Sequence, residues 1–345
     1  MTNIITKDMC LNDLINLPEL SEIKDMWIKN YPEYDRDRSF ASYDEVERFD
    51  SAGMVQGAQR LLDLHNQGRK LCYDIYTEEE KGKDPSKEKT GLVFFPGREG
   101  APYVVICSGG GYVLQTNFSE GFPTASQFNK HGINAFVVTY RVKEPDDHTL
   151  LPKPFDDVAA SVRFIEDHAD ELGVMKGHYA LGGFSAGGHI TGAWGSKNYG
   201  YRYYGLPAPR TLIFCYAASS WRLLAENTPK EMLTPGSFFA EANNAVLPEN
   251  PSESDIDAVS YETQVDADYP PSFLWQTKTD PEVPFETSVR MCNALKAVGV
   301  TYELMEVEHG DHGMGLALNS EAEGWVERSI EFWKKNDDLL DSFTQ

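Results

Sequence analysis

Apolar positions in the first 68 residues recur with helical spacing. Leu11, Leu14 and Ile15 form one group and Leu20, Ile23, Met26 and Trp27 another, separated at Pro18. A second helical pattern runs from about Tyr43 to Leu64 and stops before Gly68. From residue 69 the pattern changes. KLCYDIYT and TGLVFFPG read as strands on either side of a charged loop, EEEKGKDPSKEK, that is too short for a crossover helix, so they predict an antiparallel edge. YVVIC and INAFVVTYRV are buried apolar runs, and PKPFDDVAASVRFIEDHADELGV is an amphipathic helix opening after prolines. HYALGGFSAGGHITGAW passes from a short strand through glycines into a helix. TLIFCY, SFLWQ and VTYELMEVE supply further strands, with helices over FETSVRMCNALKAVG and around Trp325, Ile330 and Trp333. This alternation predicts an α/β fold: a mostly parallel central sheet of about eight strands with helices on both faces. Residues 221–268 lack a clean period, are rich in Pro, Asn and acid, and read as a cap-like insertion. The expected organisation is a helical N-terminal extension over 1–68 and an α/β domain over 69–345 interrupted by that insertion.

The apolar faces of the extension require a partner, because an exposed stripe of Leu11, Leu14, Ile15, Leu61 and Leu62 invites aggregation. They can pack on the far side of the core, cover the mouth of a site, or meet a second subunit in a homo-oligomer. A structural cover is the expectation.

Composition narrows the function classes. The chain carries 31 Lys+Arg against 54 Asp+Glu, a net charge of −23. Such a surface repels phosphate backbones and anionic lipid, which argues against nucleic acid and membrane partners and favours neutral or cationic substrates. Five dispersed cysteines without a C-x-x-C pattern read as reduced thiols. With no basic-then-apolar start and no run of apolar residues long enough for a membrane span, a cytoplasmic location is expected.

Gly183-Phe184-Ser185-Ala186-Gly187 is a G-x-S-x-G that follows an apolar strand and opens a helix. That context suits a nucleophile elbow, in which the serine sits on a strained turn and only glycines let the backbone fold so tightly. The amide after the serine, at Ala186, then faces a developing oxyanion. Ser108-Gly109-Gly110-Gly111-Tyr112 ends a strand where a second oxyanion donor is expected, and it lacks the G-x-G-x-x-G spacing of a nucleotide loop. A base and an acid should follow the serine in the chain. Of eight histidines, His65, His131, His148, His168 and His178 precede it, and His189, one helical turn later, is expected to pack. His309 and His312 remain, with His312 preferred. Acid candidates are Asp266, Asp268, Asp280 and Glu282; Asp280, after the strand SFLWQ, is placed at a strand C-terminus and is preferred over a mere turn-forming role before Pro281. Structural roles are expected for Asp147, Asp157 and Glu282. His309, Asp311 and His312 match no metal-ligand pattern, so neither a metal nor a cofactor is expected.

SGGGY (108–112), YRV (140–142), GGFSAGGH (182–189), TDPEVP (279–284) and HGMGL (312–316), in this order, make residues 70–335 resemble an α/β-hydrolase of the esterase/lipase group. The similarity is greatest to its bacterial feruloyl-esterase-like and hormone-sensitive-lipase-like branches. The resemblance implies a catalytic triad of Ser185, Asp280 and His312, oxyanion donors at Gly110, Gly111 and Ala186, and no cofactor. One departure stands out: Ser108 occupies the position of the usual histidine before the glycines, so that loop must be oriented by other contacts. The expected activity is hydrolysis of small or carbohydrate-linked esters, with short acyl or aryl-acyl groups, through an acyl-enzyme. The alternatives are an amidase, formamidase or peptidase on the same fold and, outside enzymes, a ligand-binding protein, although such relatives typically lose the nucleophile or base.

Overall fold

The computed structural model describes residues 4–30, 33–45, 49–144, 147 and 149–344. Eight strands form one sheet: β1 (Cys72–Tyr73), β2 (Gly91–Phe95), β3 (Ala101–Cys107), β4 (Asn134–Thr139), β5 (Val174–Phe184), β6 (Thr211–Cys215), β7 (Ser272–Thr277) and β8 (Tyr302–Val307). Their spatial order is β1-β2-β4-β3-β5-β6-β7-β8. β1 and β2 are antiparallel to each other, and β2 to β4, whereas every other pair is parallel. The antiparallel edge arises as the short β1–β2 connection requires. That connection is not the plain loop the charged sequence predicts. Thr77 caps a helix over Glu78–Lys83 through a capping box with Glu80, and Pro85–Lys89 adds a 3₁₀ turn. Acidic residues at the helix start and lysines at its end match the helix dipole, so the charge run is what makes the helix.

Strand side chains alternate between two apolar layers. Val104, Ile106, Val137, Ile213 and Trp275 face one side, and Tyr103, Val105, Val138, Leu212 and Leu274 the other. The second layer is covered by the helices Lys153–Asp167, Ala186–Gly195 and Glu286–Ala297 and by part of the insertion. The first layer is covered by the helices Phe122–Lys130 and Trp325–Lys334 and by the N-terminal segment. Leu11, Leu14, Leu20, Ile23, Trp27, Phe40, Tyr43, Met54, Leu61 and Leu62 are all buried there, in the same core as the sheet. The helical pattern from Tyr43 to Leu64 resolves into a 3₁₀ stretch, Phe40–Glu45, and a helix, Ser51–Asn66, with residues 46–48 outside the described set. The helix starts late because the Asp50 carboxylate accepts the Gly53 N–H and so acts as its N-cap. Residues 221–264 hold three short helices, Trp221–Asn227, Phe238–Val246 and Glu253–Ala258, and two 3₁₀ turns. Among the described residues no helix is long and apolar enough to cross a membrane.

Candidate active site

Five parallel strands deliver the site from their C-terminal ends, where loops of an α/β sheet converge. β3 leads into Ser108–Gly111, β5 into Ser185, β6 into Tyr216, β7 into Asp280 and β8 into the loop bearing His312.

Ser185 sits between β5 and the helix Ala186–Gly195 with φ 50° and ψ −115°, a strained conformation for a residue with a side chain. The turn closes so tightly that a Cβ on Gly183 would lie 2.1 Å from the Gly187 carbonyl oxygen, and one on Gly187 2.0 Å from that of Cys107. The two glycines of the motif are therefore steric necessities.

The Ser185 hydroxyl lies 2.9 Å from His312 Nε2, and His312 Nδ1 lies 2.8 Å from Asp280 Oδ2. A carboxylate only accepts, so Nδ1 carries the proton and Nε2 is left to accept from the serine. The other Asp280 oxygen accepts the N–H groups of Glu282 and Val283, both at 2.9 Å, which fixes the carboxylate toward the imidazole. The Asp280 turn and its triad geometry are thus one structure. The side chains of Asp280 and His312 are almost entirely buried. His309, in contrast, is 77% exposed and pairs with Glu321. Asp266 and Asp268 face Arg202, Asp147 pairs with Lys153, and Asp157 is buried against Arg141 and Tyr76. Glu282 Oε2 lies 3.9 Å from His312 Nε2 and lines the cavities beside the serine, so it belongs to the site and not to a remote turn. His148 lies outside the described residues. Among the described residues no cluster of His, Cys, Asp or Glu could hold a metal ion.

His189 packs under the oxyanion loop. Its Nε2 donates to the Val259 carbonyl at 2.9 Å, which leaves Nδ1 to accept from the Tyr112 hydroxyl at 2.7 Å. Burial pushes this imidazole down to about 4, so it is neutral and structural.

Ala186 opens its helix, so its amide has no carbonyl one turn earlier to bind. Gly110 and Gly111 have φ of 124° and 61°, and a Cβ on Gly110 would lie 2.1 Å from the Leu114 carbonyl oxygen. All three residues line cavities that contain Ser185.

Two cavities meet at the serine. The first, about 160 Å³, is mainly apolar and is walled by the insertion through Trp221, Leu224, Leu233, Phe238 and Ala242. The second, about 390 Å³, lies on the His312 side and mixes Phe49, Phe239 and Leu114 with the carboxylates of Asp35 and Glu282. A larger cleft of about 710 Å³ between Asp44, Asp50 and the Gly310–Glu321 loop does not contain Ser185. Volume alone therefore does not mark the chemistry. The N-terminal contribution of Asp35 and Phe49 carried no motif in the sequence.

The BD-FAE family model matches residues 93–202, and the prolyl oligopeptidase family model matches residues 152–338, more than half of the chain. Endo-1,4-beta-xylanase B of Butyrivibrio fibrisolvens is 28% identical over 229 residues, which are 64% of this chain and 34% of that protein. An acetylxylan esterase of Xylanibacter ruminicola is 35% identical over 100 residues, 29% of this chain and 20% of that protein. The chain thus matches only 34% and 20% of the length of these two curated relatives. An acetyl ester-xyloside bifunctional hydrolase from Caldicellulosiruptor lactoaceticus superposes with a TM-score of 0.63 at 27% identity, covering 78% of this chain and 97% of that structure.

Proposed function

The chain belongs to the prolyl oligopeptidase family, within the α/β-hydrolase fold, and from that premise we propose that it is a serine hydrolase cleaving carbohydrate-linked esters through an acyl-enzyme. The observation that carries the reading is the hydrogen-bonded chain Ser185–His312–Asp280, opening onto cavities lined by Gly110, Gly111 and Ala186.

In the first half-reaction Ser185 Oγ bonds to the ester carbonyl carbon while His312 Nε2 takes its proton. Asp280 holds the imidazole in this tautomer and stabilises the imidazolium that results. The carbonyl oxygen takes up the electron pair and is held by the amides of Ala186, Gly110 and Gly111, each contributing on the order of 3 kcal/mol in the transition state. Collapse breaks the bond to the alcohol, which leaves with the proton from Nε2. A water molecule then attacks the acyl carbon with the same base, and the carboxylic acid departs from Ser185.

The two cavities support the substrate class. A cavity of about 160 Å³ with apolar walls suits a short acyl or a single aryl group. The wider one, with carboxylates beside aromatic rings, suits a polyhydroxylated alcohol, whose hydroxyls donate to Asp35 and Glu282. The names of the xylan-active relatives point the same way. The five cysteines stand as free thiols, three of them buried, which supports a reducing, cytoplasmic location.

The test compares the unmodified chain with Ser185→Ala on p-nitrophenyl esters of increasing acyl length and on acetylated and feruloylated xylo-oligosaccharides. Loss of the serine should lower kcat by roughly 10⁶ and abolish labelling by a fluorophosphonate. Unlabelled Ser185 together with unchanged turnover in Ser185→Ala overturns the assignment. Faster cleavage of a matched anilide than of the ester favours an amidase instead.

A further inference from the structure

Ser108 carries no imidazole, and the glycine loop is held from beneath. The Ser108 hydroxyl donates to Asn117 Oδ1 at 2.7 Å, and its carbonyl accepts from the Tyr140 hydroxyl at 2.6 Å. The next amide, Gly109 N–H, points inward and donates to Glu120 Oε2 at 2.5 Å. Glu120 lies in the turn before the helix Phe122–Lys130 and is buried. Its second oxygen accepts from the Tyr216 hydroxyl at 2.7 Å, and Thr116 Oγ1 donates to Oε2 at 3.2 Å. The Tyr216 hydroxyl in turn accepts the N–H of Gly315, three residues beyond His312, at 3.1 Å. The Tyr216 ring packs edge-on against the His312 imidazole, with centroids 4.9 Å apart.

We propose that Glu120 is a positioning residue for ester cleavage, whose buried carboxylate joins the oxyanion loop to the histidine loop through Tyr216; the proposal rests on the serine-hydrolase reading above. Three donors converge on its two oxygens, which is a site built for an ionised carboxylate. Burying such a charge is costly, and an apolar side chain would fill the space without that cost. What the carboxylate adds is geometry. Turning Gly109 N–H inward leaves Gly110 and Gly111 on the cavity side, and holding Gly315 through Tyr216 sets the height of the loop that carries His312. Tyr216 has φ 34°, a conformation that persists only where surrounding contacts determine it.

The carboxylate also has an electrostatic consequence. His312 faces Asp280, Glu282, Ser185 and Tyr216; burial pushes the Glu120 carboxyl up, whereas the Gly109 N–H, the Tyr216 and Thr116 hydroxyls and the charge of His312 favour its ionised form. Glu120 itself faces Thr116, Tyr216, Tyr140, Cys215 and His312. A negative charge there favours the imidazolium that forms in each half-reaction.

The experiment measures p-nitrophenyl acetate hydrolysis by the full chain, with melting temperature and kcat/KM followed across about pH 5 to 9. The variants are Ser185→Ala, Glu120→Gln, Tyr216→Phe and the Glu120→Gln/Tyr216→Phe double variant. Glu120→Gln should lower kcat roughly 10- to 100-fold with little change in KM, and move the acid limb to lower pH because the charge is gone. Tyr216→Phe should lower kcat less and leave the acid limb in place, since Glu120 stays charged. The double variant should lose less than the product of the two effects. A Glu120→Gln variant with wild-type kcat, or with a reduced melting temperature but unchanged kcat and acid limb, overturns the proposal. If Glu120→Gln does not fold, Tyr216→Phe decides, and wild-type kcat there is the overturning result. Absence of Ser185-dependent turnover in the unmodified chain overturns the hydrolase reading and this proposal with it. Ser185-dependent turnover beside an indifferent Glu120→Gln overturns only the proposal.

Discussion

Two segments wall the cavities at Ser185, and they are attached differently. The N-terminal segment is fastened along its length. Lys29 and Gln115 exchange backbone hydrogen bonds at 3.1 Å, Phe118 N–H donates to the Trp27 carbonyl at 3.2 Å, and Leu318 N–H donates to Asp50 at 3.2 Å. Its apolar side chains lie in the sheet's own core. The insertion is fastened at its base, where Ser220 pairs with Ser260 and Tyr261 N–H donates to the Ser219 carbonyl, and at the helix Phe238–Val246, where Leu150 N–H donates to the Ala245 carbonyl at 2.8 Å, Lys143 pairs with Glu241, and Ala245, Val246 and Leu247 enter the core. Its tip leaves Met232, Leu233 and Phe238 between 36% and 39% exposed. One wall is therefore part of the fold, whereas the other ends in an exposed tip, Met232 to Phe238, that can adjust to what it covers. The difference predicts that the alcohol side of the site is fixed and the acyl side tunable.

Removing residues up to Gly68 is the harshest way to break this contrast. It strips one face of the core, so soluble yield should collapse; a soluble truncation with an unchanged melting temperature and altered ester preference would make the segment a lid. A milder version is Trp27→Ala, which empties a buried site and should cost about 3–5 kcal/mol, read as a lowered midpoint of denaturant unfolding. Substrate preference should stay as it was.

The anchors of the two walls should also part company with pH. Burial pushes Lys29 down to about 8 from its ordinary 10.5, while its ammonium donates to the Tyr140 carbonyl at 3.0 Å. The unfolded chain holds this proton longer than the folded one, so stability should rise between pH 8 and 10.5 by on the order of 3 kcal/mol, and Lys29→Met should flatten that rise. His189, which joins the oxyanion loop to Val259 at the insertion's end, works on the acid side. Its imidazole stays neutral down to about 4, so stability should fall as pH drops from 6.5 toward 4 by a similar amount, and His189→Gln should remove that slope. Melting temperatures across both windows check the pair.

The smallest effect on stability, and the most specific, belongs to Phe238→Ala. At a partly exposed tip residue it should change the melting temperature little while shifting kcat/KM toward longer acyl chains by about tenfold or less. An unchanged chain-length profile would remove the claim that the insertion tunes the acyl side.

Much of this architecture was legible because its signals are local. Strand and helix periods place the sheet, and the G-x-S-x-G turn, TDPEVP and HGMGL point to three residues that the structure holds within 2.9 Å of one another in sequence of contact. The remainder depends on distance in the chain. Glu120 sits in NFSEGFP, a stretch without motif, and acquires meaning only when Tyr216, nearly a hundred residues on, meets it. Asp35 and Phe49 reach the cavity only because the N-terminal segment packs beside the histidine loop. The helix Glu78–Lys83 was hidden for another reason: a run of charged residues reads as solvated loop unless its cap at Thr77 is weighed.

The wide scatter of site residues over five strand ends has a consequence for biogenesis. Gly110 and His312 are separated by most of the sheet's sequence, and the buried Leu340 closes the core behind them. Sites assembled from such remote segments form late, because the entropy of closing long loops must be met before their contacts form. Ester turnover should therefore lag behind the recovery of helical circular dichroism during refolding. A nascent chain arrested before the helix Trp325–Lys334 emerges should carry no activity, although the elbow at Ser185 has long since left the ribosome.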